Sequence, residues 1–220
     1  MRVNKGLMIA ATFDPTKRTS LLTVADMCRK IEENSISLPL YQRDISWTLQ
    51  KCIDLLNYQL WGKAPVSPIS INVINTVDSA VPQVSFIDRE IISTIERGQY
   101  SVVDGQQRLT TNYKAYCNHD DFRNIVLDLG KGEFTEVRDS IRSNQIPVGI
   151  LLNKEDTKLF EYTKAKSALG SADVLSVLLQ VRSKMRNYNY TLNSAEDLTE
   201  DEQIEWFEAV SYTHLRAHET

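Results

Sequence analysis

The stretch Ser101-Val102-Val103-Asp104-Gly105-Gln106-Gln107-Arg108-Leu109-Thr110-Thr111 decides how the chain is read. Three residues suited to a buried strand run straight into Asp104-Gly105, and from Gln106 to about Cys117 the apolar spacing becomes helical. A strand, a glycine at the bend and a helix opening on two amides and an arginine make a corner that can hold an anion. The first N–H groups of a helix lack intrahelical partners and carry partial positive charge. Gly105 lets backbone approach closely. Arg108 adds a forked cationic donor for phosphate oxygens, and Gln106 and Gln107 add neutral donors and acceptors. Asp104 would repel phosphate unless a divalent cation lay between them, so a carboxylate here points to magnesium. A second reading stays open: Asp104 caps the helix, Gly105 makes the turn, and Arg108 pairs with a nearby carboxylate.

Working outward, a second island is Leu38-Pro39-Leu40-Tyr41-Gln42-Arg43-Asp44-Ile45-Ser46-Trp47. A base or sugar can stack on Tyr41 or Trp47 while Arg43 meets phosphate. Equally, the two rings can anchor the edge of the core while Arg43 pairs with an acid.

Around these islands the pattern is mixed α and β, without repeats or low-complexity linkers. Helices are expected at Thr23 to Glu33, with Thr23 as N-cap, and from Thr48 to a cap at Gly62. Strands are expected at Ile36 to Leu40, Ile69 to Val77, Gln83 to Ile87, Asn124 to Leu129, Phe134 to Val137 and Ile146 to Leu152. Asp88 to Gln99 is ambiguous between helix and loop. Helices follow at Asp156 to Leu169, Ala172 to Tyr188 and Glu200 to Glu208. The fold class is α+β, with a body over residues 1–155 and the start of a helical segment over 156–209.

Composition limits the function classes. The 220 residues are 42% hydrophobic and 25% charged, enough for a real core. No run approaches the roughly 18 apolar residues that span a bilayer, nor does the start read as a secretory signal, so a cytoplasmic protein is expected. A net charge of −4 gives no global field for nucleic acid, so any DNA contact must be local or supplied by a partner. Cys28, Cys52 and Cys117 have no metal-ligand spacing and read as reduced packing residues. His119-Asp120-Asp121 reads as a polar turn rather than a metal cluster. Arg182, Lys184 and Arg186 could touch DNA, or could simply suit a solvated helix end.

The last eleven residues, Val210 to Thr220, show no period, and they match residue for residue the translated end of a common transposase sequencing adapter, with Ala209 in part. Residues 210–220 are accordingly expected to be translated adapter, and His214 and His218 are set aside as metal ligands. That expectation places the natural chain's continuation beyond Glu208.

The two islands, in this order and about sixty residues apart, resemble the N-terminal domain of GmrSD-type restriction proteins. Pro39-x-Tyr41-Gln42-Arg43-x-x-x-Trp47 and the run Asp104 to Thr111 carry the resemblance, which covers roughly Thr23 to Glu208. Ile45 stands where the family usually has an aromatic, and Gln203 to Glu208 resembles the start of a later motif. The resemblance implies a ParB/sulfiredoxin-like mixed sheet with flanking helices, followed by an incomplete helical segment. It implies binding of a nucleoside triphosphate with magnesium, its hydrolysis, and control of a nuclease that cuts modified or foreign DNA. Asp104, Gln106, Gln107 and Arg108 would be catalytic, with Asp104 on magnesium, and Gly105, Tyr41, Gln42 and Arg43 would hold nucleotide. The alternative is a nucleotide-switched module that binds DNA or a partner without turnover. A sulfiredoxin-like redox role fails, because Gln106 and Gln107 stand where that chemistry needs cysteine. The partners implied are DNA and a nuclease, fused or separate and HNH-type in many relatives. A homodimer is compatible with the resemblance, and the residues of an HNH centre are not in this sequence.

Overall fold

In the computed structural model, residues 2–12, 18–42 and 47–215 are described, the last five of them as backbone alone. Elements follow in the order α1 (Lys5–Ala10), β1 (Arg18–Thr23), α2 (Val24–Glu32), β2 (Ile36–Pro39), α3 (Leu49–Trp61), β3 (Ile69–Ile74), β4 (Gln83–Val84), β5 (Gln99–Asp104) and α4 (Gln106–Tyr116). Then come β6 (Ile125–Asp128), β7 (Glu133–Glu136), β8 (Gln145–Pro147), α5 (Val148–Leu151), α6 (Thr157–Ala165), α7 (Ala172–Arg186), β9 (Asn189–Glu196) and α8 (Glu200–Leu215). The α+β expectation of a mixed sheet with flanking helices holds. One six-stranded sheet has the order β1-β9-β3-β5-β2-β4, and a smaller one the order β7-β6-β8.

The parallel neighbours in the large sheet are β2 with β5 and β3 with β9, and its other pairings are antiparallel. Because β2 and β5 run side by side in one direction, both islands of the sequence leave the sheet at the same end. That is where adjacent parallel strands leave room for a ligand.

Two apolar clusters hold the chain together. One packs α2 and α4 against the large sheet through Met27, Cys28, Leu38, Ile69, Val102, Leu109 and Tyr190. The other joins α3 to the small sheet and α5–α7 through Leu56, Phe134, Leu151, Leu159 and Leu178. Both clusters and the large sheet cross the boundary expected between residues 155 and 156, since β9 pairs with β1 and β3.

Local sequence accounts for much of this. The Thr23 hydroxyl accepts from the Asp26 amide at 3.1 Å, and Val24, Met27, Cys28 and Ile31 are the buried face of α2, as their spacing predicts. Thr48 caps α3 by accepting from the Lys51 amide. Gly62 ends that helix as the expected C-cap, in extended backbone (φ −63°, ψ 139°). Its lack of a side chain matters because a Cβ would lie 2.5 Å from the Tyr58 carbonyl oxygen.

Other expectations change. Leu40 lies beyond β2 and is exposed, and β2 is buried on both faces because it is an interior strand. Asp88 to Gly98 is loop, apart from a bridge between Val84 and Ile91, and β5 begins at Gln99. The strand expected at Ile146 to Leu152 breaks after Pro147 into the short helix α5, where Gly149 lies flush against Asn118. α8 runs to Leu215, through part of the segment read as aperiodic; elongation adds one hydrogen bond per residue fixed, and no Gly or Pro stops it.

Asp128, buried at the end of β6, organises the small sheet. Its carboxylate accepts from Gln145 Nε2 at 2.7 Å, the Gly130 and Lys131 amides at 2.9 and 3.1 Å, and Asn144 Nδ2 at 3.1 Å. The Gln145 amide first, then the backbone donors, hold its pKa below the usual carboxylate range. With charge-assisted bonds of this kind lost, Asp128→Ala is expected to cost about 3 kcal/mol in urea unfolding at pH 7. A depressed folded pKa contributes stability at pH values above the unfolded value of about 3.9, lost as pH falls through the folded value. The gap between wild type and Asp128→Ala should therefore narrow in acid; an equal gap at pH 7 and pH 3 would assign the loss to packing alone.

Candidate functional site at the ends of two parallel strands

The corner predicted from Asp104 to Arg108 is present and tightly made. β5 ends at Asp104, Gly105 turns with φ +103°, and α4 begins at Gln106. A Cβ on Gly105 would stand 2.4 Å from Ile69 Cδ1, so close packing against β3 and the backbone angle both require glycine. Among the described residues no side chain caps α4, which leaves its opening amides directed out of the corner. Asp104 does not cap the helix, contrary to one of the two readings.

Arg108 does pair with a carboxylate, as that same reading expected. Its Nη2 donates to Asp104 Oδ2 at 3.0 Å and to the Pro68 carbonyl at 3.2 Å, and its Nη1 donates to the Ser67 carbonyl. Only 12% of the Arg108 side chain is exposed, so the guanidinium is a fixed part of the wall, not a free arm. Among the described residues Asp104 Oδ1 accepts no hydrogen bond.

The other island closes the same corner from two sides. Gln42 Nε2 donates to the Val103 carbonyl at 2.9 Å, one residue before Asp104. The Trp47 amide donates to Gln107 Oε1 at 3.0 Å, which makes Gln107 a structural tie as well as a candidate site residue. Gln106 is largely buried at the first position of α4. Tyr41 donates its hydroxyl to Gln203 Oε1 at 3.2 Å, and burial, with the Glu200 charge behind it, pushes the phenol up to about 12. Buried Gln203 binds the Leu198 carbonyl with its own amide, so α8 is fastened to the Leu38–Trp47 island. Arg43, expected to meet phosphate, lies outside the described residues.

Beneath the corner, Asn112 of α4 and Gln59 of α3 both donate to the Tyr190 hydroxyl at 2.9 Å, and Asn112 also donates to the Arg108 carbonyl. This buried network fixes α4 to the strand β9.

Sequence reading missed Arg89. It has a left-handed backbone (φ +53°), and its Nη2 donates to the Gln42 carbonyl at 2.6 Å and to that of Leu40 at 3.3 Å. Nothing local in the sequence marks it, because its partners are 47 and 49 residues away.

Three weaker candidates resolve as structure. His119 accepts from the Asp121 amide in a short turn, and no group of three or more His, Cys, Asp or Glu that could hold a metal occurs among the described residues. Arg182 is buried and donates to the Leu151 and Asn153 carbonyls and to Asp156; Lys184 donates to the Leu60 carbonyl and Arg186 to Asp156. These cations are internal ties, neither a free DNA patch nor a merely solvated face. Cys28 and Cys52 are buried and Cys117 partly so, all as free thiols, with burial raising each pKa.

The architecture is thus that of an α+β protein with a mixed sheet, whose two polar sequence islands meet at the C-terminal ends of adjacent parallel strands. A family model described as GmrSD restriction endonuclease, N-terminal domain, matches residues 24–215, and the chain belongs to that family. It is a module of a restriction system. No curated protein matches the chain. No helix among the described residues is long and apolar enough to cross a membrane.

Proposed function

We propose that the domain binds a nucleoside triphosphate with magnesium at the Asp104–Arg108 corner, hydrolyses it, and so gates the nuclease of its restriction system on modified or foreign DNA. The observation that carries this reading is the start of α4, uncapped among the described residues, beside a fixed guanidinium and a carboxylate with one oxygen unbonded among those same residues. The opening amides and Arg108 would bear phosphate charge, Gly105 would keep the backbone close to it, and a glutamine, Gln106 or Gln107, would orient the attacking water. Tyr41, Gln42 and Arg43 would complete the nucleotide's contacts. A single carboxylate fits a magnesium ion held chiefly by phosphate oxygens and water, with Asp104 supplying one ligand. When bound, that ion would neutralise charge on the phosphates. DNA and a nuclease domain are the proposed partners.

One observation favours the second reading, a switch without turnover. Arg108 is already committed to Asp104 and two carbonyls, so phosphate must share or displace existing bonds, and that exchange alone could move the corner. Phosphate release separates the two. The purified chain, given each nucleoside triphosphate with and without magnesium and DNA, should bind and release phosphate only with magnesium. Binding with no release would establish the switch, and no binding would remove both.

A further inference from the structure

Two side-chain atoms at this end of the sheet are buried without a hydrogen-bond partner among the described residues: Arg89 Nη1 and Gln42 Oε1. They belong to residues already bonded to each other, since Arg89 Nη2 donates to the Gln42 carbonyl. The orientation of the Gln42 amide is dictated, because the Val103 carbonyl can only accept and must face Nε2; the oxygen is therefore the orphan. A buried unpaired guanidinium nitrogen and a buried unpaired amide oxygen are each costly, and Arg89 also holds a left-handed backbone that non-glycine residues seldom adopt. Orphaned polar atoms and backbone strain together mark places where a ligand completes the structure.

The two orphans need opposite things. Arg89 Nη1 requires an acceptor and Gln42 Oε1 a donor. Phosphate, which only accepts, would answer the first and leave the second unmet. A hydroxyl, or a nucleobase edge that carries an amine beside a ring nitrogen or carbonyl, answers both. Gln42 is held on the peptide next to Asp104, so its amide nitrogen closes the phosphate corner while its orphaned oxygen and Arg89 lie beside it.

We propose that Arg89 and Gln42 recognise the nucleoside portion of the ligand, through a sugar hydroxyl or the base edge, while the start of α4 takes the phosphates. The proposal rests on the nucleotide reading of the corner. It assigns Arg89 a binding role that neither sequence island contains.

The test is calorimetry on the whole chain with magnesium, using methyl triphosphate, which matches the charge of a nucleotide but lacks sugar and base, beside the four ribonucleoside triphosphates and their 2′- and 3′-deoxy forms. Wild type should bind at least one nucleotide about tenfold more tightly than methyl triphosphate, the worth of one charge-assisted bond. Arg89→Lys should erase that preference while leaving methyl triphosphate affinity within about twofold, which also shows that the variant retains the corner. Loss of the preference in a deoxy form assigns the contact to that hydroxyl, and discrimination among bases assigns it to the base edge. Equal binding of nucleotide and methyl triphosphate by wild type, or a parallel fall for both ligands in Arg89→Lys, would overturn the proposal and leave the orphans to bound water. Binding of neither ligand by wild type would instead remove the nucleotide reading, and this proposal with it.

Discussion

Arg108→Ala is expected to lower nucleotide affinity by two orders of magnitude or more and to abolish phosphate release, while costing the fold about 1–3 kcal/mol. The stability loss follows from three bonds that disappear together. Truncation leaves the exposed Ser67 and Pro68 carbonyls to water and Asp104, largely covered, without its counter-charge. The larger effect is on binding, because without the guanidinium Asp104 presents uncompensated negative charge to the phosphates. Arg108→Lys is the informative companion. Lysine keeps the charge but cannot span Asp104 and two carbonyls with one planar fork, so affinity should recover only in part. Urea unfolding of both variants, beside calorimetry with nucleotide, separates the two effects. Nucleotide affinity unchanged in Arg108→Ala would place the phosphates elsewhere.

This double commitment of Arg108 could not be seen in the sequence, and the reason is general to the site. The run from Val102 to Thr111 shows that a strand, a turn and a helix follow one another, and each is found there. Helical spacing likewise placed the buried face of α2 and both caps of α2 and α3. Long-range partners leave no such trace. Ser67 and Pro68 belong to a segment about forty residues earlier, and nothing local signals that their carbonyls face the guanidinium. Arg89 is the stronger case, an isolated charged residue in a stretch ambiguous between helix and loop.

The strands that escaped notice did so for physical reasons too. β9 alternates Tyr190 and Leu192 inward, but its intervening Asn189, Thr191 and Asn193 have mixed strand preference, and its stability comes from pairing with β1 on one side and β3 on the other. Its partner β1 is an exposed edge strand with little apolar pattern of its own. At Val148 to Leu152 the bias ran the other way, since a β-branched and apolar run suggested a strand. The chain turns there because Gly149 can seat against Asn118 only without a side chain, and tertiary contact overrides local preference.

Gly105→Ala tests whether the corner's geometry, rather than its charges, is what the sequence run protects. Two penalties coincide. At φ +103° a side chain is strained wherever it points, and the added methyl would lie 2.4 Å from Ile69 Cδ1 and 3.2 Å from Arg108 Nη2. The backbone penalty is about 1–2 kcal/mol and overpacking about 1–3, so a loss of roughly 2–5 kcal/mol is expected in urea unfolding. A partial rescue should follow from Ile69→Val, which removes the offending Cδ1 but leaves the backbone strain. In the double variant about half of the loss should return, a non-additivity that only direct contact produces. Nucleotide binding should remain weak even where stability returns, because Asp104 and Gln106 flank the strained peptide and their relative placement depends on its angle. Full recovery of binding in Gly105→Ala/Ile69→Val would mean that the left-handed turn serves packing alone, with the phosphate contacts fixed by α4 itself. A double variant no more stable than Gly105→Ala would mean that the cost lies in the backbone angle and not in the contact with β3.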